Sequence, residues 1–318
     1  MGMKEMVMLA VAVFGNGLLA CQKVLPEPNM EFRSPAQVEW SPQSVILNEL
    51  LFNPPAAGVD YVEIRHVGRD PIQLNGLFLA SLNEDGSVNK QYALGERSSM
   101  IYPNEYRVFT VNKKWLCSYY ECDSNAVIQL KTMPVMNNTA GRIALLDQQG
   151  NILDELEYSE KMHFSYLPDW KGVALERISH RLVSNWTGTW HSASYSSRFG
   201  TPTRTNSQDV ELIPGMRYGF FFNTTRLSPN CDGVEDILRI EYAFPQPGFV
   251  AHLDVYRADG IQEAKLWDGI LLGTVGQVEW DGCLQGRRLP VADYIFSIRY
   301  FNLKGESCQV KKEIRIQW

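Results

Sequence analysis

Three oxygen-bearing side chains crowd one short segment: Asn230, Asp232 and Asp236, with Gly233 among them. A hard cation such as calcium takes about six to eight oxygen ligands, and a glycine permits the sharp turn such a loop needs. The same spacing suits a structural turn whose Asn and Asp side chains accept backbone N–H groups, so both readings stand. Cys117 and Cys122 form a C-x4-C pair in the loop-like segment Trp115–Asp123. In an oxidising compartment this predicts a local disulfide. A zinc half-site is the rival, but no second C-x-x-C or H-x-x-x-H completes it. Cys231 and Cys283 each flank a turn motif, and a bridge between them would close a loop of about 50 residues, worth roughly 4 kcal/mol. Cys231–Cys308 pairing, or three free thiols, are the alternatives. Trp170, Trp186 and Trp190 offer either a carbohydrate-stacking platform or a cover for a sheet edge. The histidines, His66, His163, His180, His191 and His252, lack metal spacing. No G-x-S-x-G, H-E-x-x-H, glycine-rich phosphate loop or Cys/His dyad is present. Asp60 and Glu63 fall on opposite faces of an apparent strand, so they cannot act as a pair. The expectation is a protein that binds and does not catalyse.

The sixth cysteine, Cys21, ends an apolar run that starts at Met6 and follows Lys4. Gly15-Asn16-Gly17 interrupts the run, which falls short of the roughly 20 apolar residues a membrane span needs. Leu18-Leu19-Ala20-Cys21 resembles the lipobox of bacterial lipoproteins. That resemblance implies removal of residues 1–20, an N-terminal lipid on Cys21 and export from the cytoplasm. An ordinary secretory signal beside a cysteine is the alternative. Residues 21–43 hold Pro26, Pro28, Pro35 and Pro42 and read as an extended tether, at about 3 Å per residue. The formal net charge of -6 gives no basic footprint, which argues against a nucleic-acid partner and gives a membrane surface no polybasic help. The lipid must then do the anchoring.

Positioning these residues falls to β-structure. In Tyr61–Arg65, Val62 and Ile64 share one face, and Tyr61, Glu63 and Arg65 the other. Val45–Leu47, Leu74–Leu79, Tyr106–Val111, Val127–Leu130 and Arg142–Asp147 are further strand-length runs, separated by Asn-Gly, Asp-Gly and Pro-Asn turns. Leu238–Tyr242, Ala251–Arg257, Gln277–Trp280, Tyr294–Phe301 and Cys308–Ile316 follow. The fold class expected is all-β, with two sandwiches at 44–207 and 218–318 joined by a connection at 208–217.

Two resemblances sharpen this. Ile46–Leu50, Asp60–Ile64, Ile72–Leu77 and Ile143–Asp147 with Gly150 resemble, in order, the lamin-tail family of immunoglobulin-like sandwiches. Lys171–Ile178, Trp190–Ala193 and Gly200–Pro202 with Asn206-Ser207 resemble the stretch that follows this domain in envelope proteins of Bacteroidota-type bacteria. Leu227–Asp236 resembles the S-P-N-G-D-G-x-x-D opening of a second immunoglobulin-like family, which includes flagellar hook-cap type and gliding-associated domains. Val255–Gly260, Trp280–Gly282 and Leu289–Tyr294 continue that likeness. Cys231 and Asp293 stand where glycine is usual. Together the resemblances imply an outer-membrane lipoprotein that serves as a binding or scaffold subunit of a secretion or outer-membrane assembly machine. Its expected partners are membrane lipid through Cys21, and an outer-membrane barrel protein or partner lipoproteins. Alternatives are a surface glycan-binding or adhesive lipoprotein, and a passenger of the gliding-type (type IX) secretion route. Neither the periplasmic nor the cell-surface leaflet is favoured.

Overall fold

The computed structural model describes residues 44–318 except 97–98, 187, 211–215 and 285. Cys21, the apolar run, the tether and part of the expected 208–217 connection lie outside the described residues. The first unit contains β1 (Val45–Leu51), β2 (Tyr61–His66), β3 (Phe78–Leu82), β4 (Val88–Ala93), β5 (Tyr106–Thr110) and helix α1 (Lys113–Tyr119). It continues with β6 (Val127–Gln129), β7 (Ala140–Leu146), β8 (Ile152–Ser159), β9 (Leu175–Arg177) and β10 (Trp190–Ser192). A six-stranded sheet, β10-β9-β1-β2-β5-β6, faces a four-stranded sheet, β8-β7-β3-β4. Leu47, Leu50, Val62, Ile64 and Phe109 of the first sheet pack on Leu79, Ile143, Leu145 and Leu156 of the second.

The second unit contains β11 (Gly219–Phe222), β12 (Leu238–Ala243), β13 (Phe249–Arg257), β14 (Gln262–Leu271), β15 (Val275–Trp280), β16 (Ala292–Asn302) and β17 (Ser307–Ile316). A three-stranded sheet, β11-β12-β15, faces a sheet in which Arg226–Leu227, β17, β16, β13 and β14 lie side by side. The chain is thus all-β, two sandwiches, with one short α-helix among the described residues. No described helix is long and apolar enough to cross a membrane.

The six-stranded sheet is buried on both faces. Every residue of β1 is buried, including Asn48 and Glu49. The inner face meets the four-stranded sheet. The outer face is covered by α1 and by residues 193–209, the segment after β10, here called the strap. Leu51, Tyr61, Val108, Leu116, Tyr120, Ala174 and Ala193 form the apolar part of that outer layer. The segment Trp115–Asp123, expected as a loop, instead opens in α1, whose first turn is capped by the Asn112 side-chain Oδ1 accepting from Trp115 N–H at 3.0 Å. Cys117 and Cys122 are joined as expected, with Cα atoms 5.4 Å apart, and the bridge rests on this outer layer.

One buried ion pair ties the two sheets of the first sandwich together. Asp154 of β8 accepts from Arg177 Nη2 at 2.8 Å and from the Leu47 N–H at 2.9 Å. Ser184 donates to the other carboxylate oxygen at 2.7 Å, and Arg177 Nη1 donates to the Leu182 carbonyl at 2.8 Å. Removing one partner strands a buried charge. Arg177→Ala is expected to lower the unfolding free energy by about 3–5 kcal/mol in denaturant titration. Arg177→Met with Asp154→Leu should cost less than the single change.

Candidate functional site

The site begins with a one-residue irregularity in β1. Leu47 pairs with Ile64, and Glu49 pairs with Glu63, so Asn48 is an extra residue opposite a single partner step. Such a bulge turns the residues after it onto a new face. Leu47 and Leu50, three apart, both join the inner core, while Glu49 and Leu51 take the outer face. Glu49 is also in register with Glu176 of β9. Three glutamates therefore stand in one row across three adjacent strands, each at most 1 % exposed.

The strap supplies much of what holds this row. Thr201 N–H donates to Glu49 Oε1 at 2.8 Å, and Tyr61 O–H donates to the same atom at 2.7 Å. Thr203 N–H donates to Glu63 Oε2 at 2.5 Å, and Asn48 Nδ2 donates to Glu63 Oε1 at 2.7 Å. Gln208 N–H and Ser207 O–H reach Glu176 Oε2 at 2.9 and 2.8 Å. The Thr201 hydroxyl lies 2.7 Å from Glu176 Oε1 and 3.2 Å from Glu49 Oε2. A hydroxyl has one proton. It can donate to Glu176 and still bond Glu49 only if Glu49 carries a proton and donates it. Burial, and then the Glu176 charge, push the Glu49 carboxyl up to about 8. Burial also holds Glu63 well above the carboxylate range, with Glu49 adding to the rise, and raises Glu176. Asn206 closes the bulge: its Nδ2 donates to the carbonyls of Asn48 and Arg177, at 3.1 and 2.8 Å. The row can hold and share protons, but all three glutamates are buried beneath the strap and away from solvent.

The strap also joins the two sandwiches. Gln208 Nε2 donates to the Ser192 and Leu272 carbonyls, both at 3.1 Å. The Ser207 carbonyl accepts from Thr274 N–H, and the Leu271 carbonyl from Tyr195 N–H, both at 2.8 Å. Ser196 and Tyr242 hydroxyls lie 3.0 Å apart. Phe164, Leu167 and Val173 pack against Val250 and Leu271. Residues 208 and 209, expected to start a connection, therefore belong to this seam. Beside it opens a cleft of about 810 Å³. Tyr119 of α1, Tyr195 and Arg198 of the strap, and Trp267 of β14 form its walls, with Gln277–Glu279 of β15 along one side. β15 is an edge strand, bonded to β12 alone among the described residues. Tyr195 is 53 % and Tyr119 40 % exposed.

The other sequence candidates fall elsewhere. Asn230, Asp232 and Asp236 do share one loop, but their oxygens serve the loop's own backbone. Asp236 accepts from the Cys231 and Gly233 N–H groups, both at 2.7 Å; Asp232 accepts from Val234 N–H and Asn230 from Asp232 N–H. No described group of three His, Cys, Asp or Glu is placed to hold a metal ion. Cys231 sits at φ +67°, in the left-handed region, which explains why glycine is usual there. Of the pairings left open, neither the Cys231–Cys283 nor the Cys231–Cys308 bridge is formed. All three thiols are free. Cys231 is exposed on its turn, Cys283 opens a short hairpin with Arg288, and Cys308 lies on β17 opposite Tyr300. The tryptophans do not make a platform. Trp190 is buried in the first core, its Nε1–H donating to the Ser184 carbonyl at 2.9 Å. Trp170 packs into the seam and stacks on His163, leaving Trp186 exposed.

No protein-family profile matches the chain, and no curated protein matches it. Among solved structures it aligns with dimeric latent PorU from Porphyromonas gingivalis at 8 % identity and a TM-score of 0.24, covering 86 % of this chain and 20 % of that one. It aligns with a tetra-tandem repeat of a large adhesion protein at 10 % identity and a TM-score of 0.21, covering 86 % and 49 %. A third alignment, with the extracellular domain of a one-component system from B. thetaiotaomicron, has 15 % identity and a TM-score of 0.19, covering 85 % and 31 %. The chain thus spans less than half of each of these structures, and likenesses this distant assign it no function.

Thr201 is the test of how the strap is held. Thr201→Val keeps the shape and removes the hydroxyl that joins Glu49 to Glu176, leaving the Glu176 acceptor without its donor and the Glu49 proton without its acceptor. The expected loss is about 1–3 kcal/mol in equilibrium unfolding. Thr201→Ser should retain most of it.

Proposed function

We propose that the protein is a non-catalytic outer-membrane lipoprotein, anchored through Cys21, that acts as a binding or scaffold subunit of a secretion or outer-membrane assembly complex. The observation that carries the reading is the cleft at the seam. It combines the unpaired edge of β15 with two exposed tyrosines on the facing wall. An exposed sheet edge presents free backbone N–H and C=O groups that an extended segment can pair with, while aromatic side chains supply apolar contact. The occupant proposed is an extended segment of an outer-membrane barrel protein. The two sandwiches meet through buried apolar contacts, so they would present the cleft as one rigid surface. The lipobox-like Leu18-Leu19-Ala20-Cys21 and the proline-rich residues 21–43 support delivery to the membrane, with the tether giving reach. The glycan-binding reading loses its main support because Trp190 is buried.

Cys21→Ser should move the protein from the membrane fraction to the soluble one after a carbonate wash. Retention in the membrane would remove the lipid anchor from this reading. Tyr195→Asp with Tyr119→Asp should abolish co-purification of a barrel protein from detergent-solubilised outer membrane, with unfolding of the variant unchanged. A barrel protein captured equally by the wild type and the variant would move the interface away from the cleft. If the wild type captures none, the scaffold reading fails.

A further inference from the structure

The strap holds an unusual backbone. Arg198, Phe199 and Thr203 all have positive φ, at +57°, +63° and +71°, and none is glycine. Such residues persist only where their surroundings over-determine them. Between them, Gly200 lies so close to the helix side that an added Cβ would stand 2.6 Å from a Tyr120 ring carbon. The glutamate row holds much of this segment, through the N–H groups of Thr201, Thr203 and Gln208 and the hydroxyls of Thr201 and Ser207, beside the Arg204–Glu121 ion pair and the Asp123 N–H bond to Thr203. Every one of these donors to the row is neutral. So are the remaining donors, Asn48 and Tyr61.

We propose that the strap is a proton-operated latch between the two sandwiches, held by the Glu49–Glu63–Glu176 row and loosened as that row gives up protons. Three carboxylates in register on neighbouring strands, with no Lys, Arg or His among the described residues hydrogen-bonded to them, repel one another when ionised. The titratable groups packed around them do not offset that charge. Tyr61 of β2 and Tyr120 after α1 are held in the neutral phenol form by burial, and Tyr106 of β5 is also raised by burial. Arg65 of β2 is engaged with Asp209 of the strap at 3.4 Å. Release of the strap would free Ser207, Gln208 and Asp209 from their bonds to Leu272 and Thr274. It would also leave Ser196 to part from Tyr242. Each sandwich keeps its own core, and Phe164, Leu167 and Val173 stay packed on Val250 and Leu271, so the strap can loosen while both sandwiches remain folded.

The sign follows from linkage. In the opened strap Glu49 returns toward its ordinary value of 4.5, against about 8 when closed. The latch is at full strength below 4.5 and weakens as pH rises from there to 8. Each proton released makes the opening constant rise about tenfold per pH unit. Burial also holds Glu63 above its ordinary value when closed, so it adds to the same rise.

The experiment is amide hydrogen exchange on the full chain from pH 5 to 8, with the intrinsic base-catalysed rate divided out. The opening constant at the Thr201, Thr203 and Gln208 amides should climb with pH, while the central amides of β13 and β16 stay protected. Glu49→Gln imitates the protonated side chain, since its Nε2 can donate to the Thr201 hydroxyl. It should reduce the pH slope at those three amides by about one decade per unit. Glu63→Gln should likewise lower the slope at those amides. A flat opening constant in the wild type, an unchanged slope in both variants, or equal loss of protection at β13 and β16 would each overturn the latch.

Discussion

The fold depends on one extra residue in a buried strand. Asn48 makes β1 carry two residues against one, and that step places Glu49 beside Glu63 and Glu176 on the outer face. The bulge is held from both sides of the sheet. Asp154 takes the Leu47 N–H on the inner face, and Asn206 takes the Asn48 carbonyl on the outer one. The first contact leads through Arg177 to the packing of one sheet on the other. The second leads through the strap to the seam. A carboxyl group buried with neutral donors costs less protonated than ionised. The row therefore keeps part of its protons, and its hydrogen bonds decide where residues 199–209 lie.

That ordering makes two sandwiches into one body. An interface between domains of a single chain is ordinarily modest and polar, with relative motion as the default. Here backbone bonds from Ser207, Gln208 and Tyr195 cross to Leu271–Thr274, and Phe164, Leu167 and Val250 bury apolar surface beside them. The cleft exists because of this arrangement. Its walls come from α1, the strap and two strands of the second sandwich, so neither half alone presents it.

Much of the framework was legible in the sequence. Val62 and Ile64 face the core as their alternation predicts, and the Cys117–Cys122 bridge follows from local spacing. Five strands of the second sandwich fall close to their expected bounds, but the pattern does not show β11 or β14, the latter because Lys265, Asp268 and Gly269 break its apolar run. β8 was missed for a similar reason: Asp154, an acid, is its inward contact with the other sheet. The row was not legible. Alternation places Tyr61 and Glu63 on the second face of β2, but that face is covered by residues about 140 positions further along, and no local pattern reports a cover so distant. The available signal was an acid inside an apolar run, Glu49 in Val45–Leu51 and Glu176 after Leu175. The tryptophans misled for the opposite reason. Their clustering in sequence reflected a core, a seam and a surface loop, three separate environments.

The direct measurement of the row is its protonation. Infrared difference spectra between the wild type and Glu49→Gln at pH 7 isolate the carbonyl band of a protonated carboxylic acid. A buried Glu49 whose carboxyl lies at about 8 predicts that this band is present in the wild type and lost in the variant. If the difference shows only the loss of an ionised carboxylate, Glu49 holds no proton, and the bonding of the strap to the row described here is wrong.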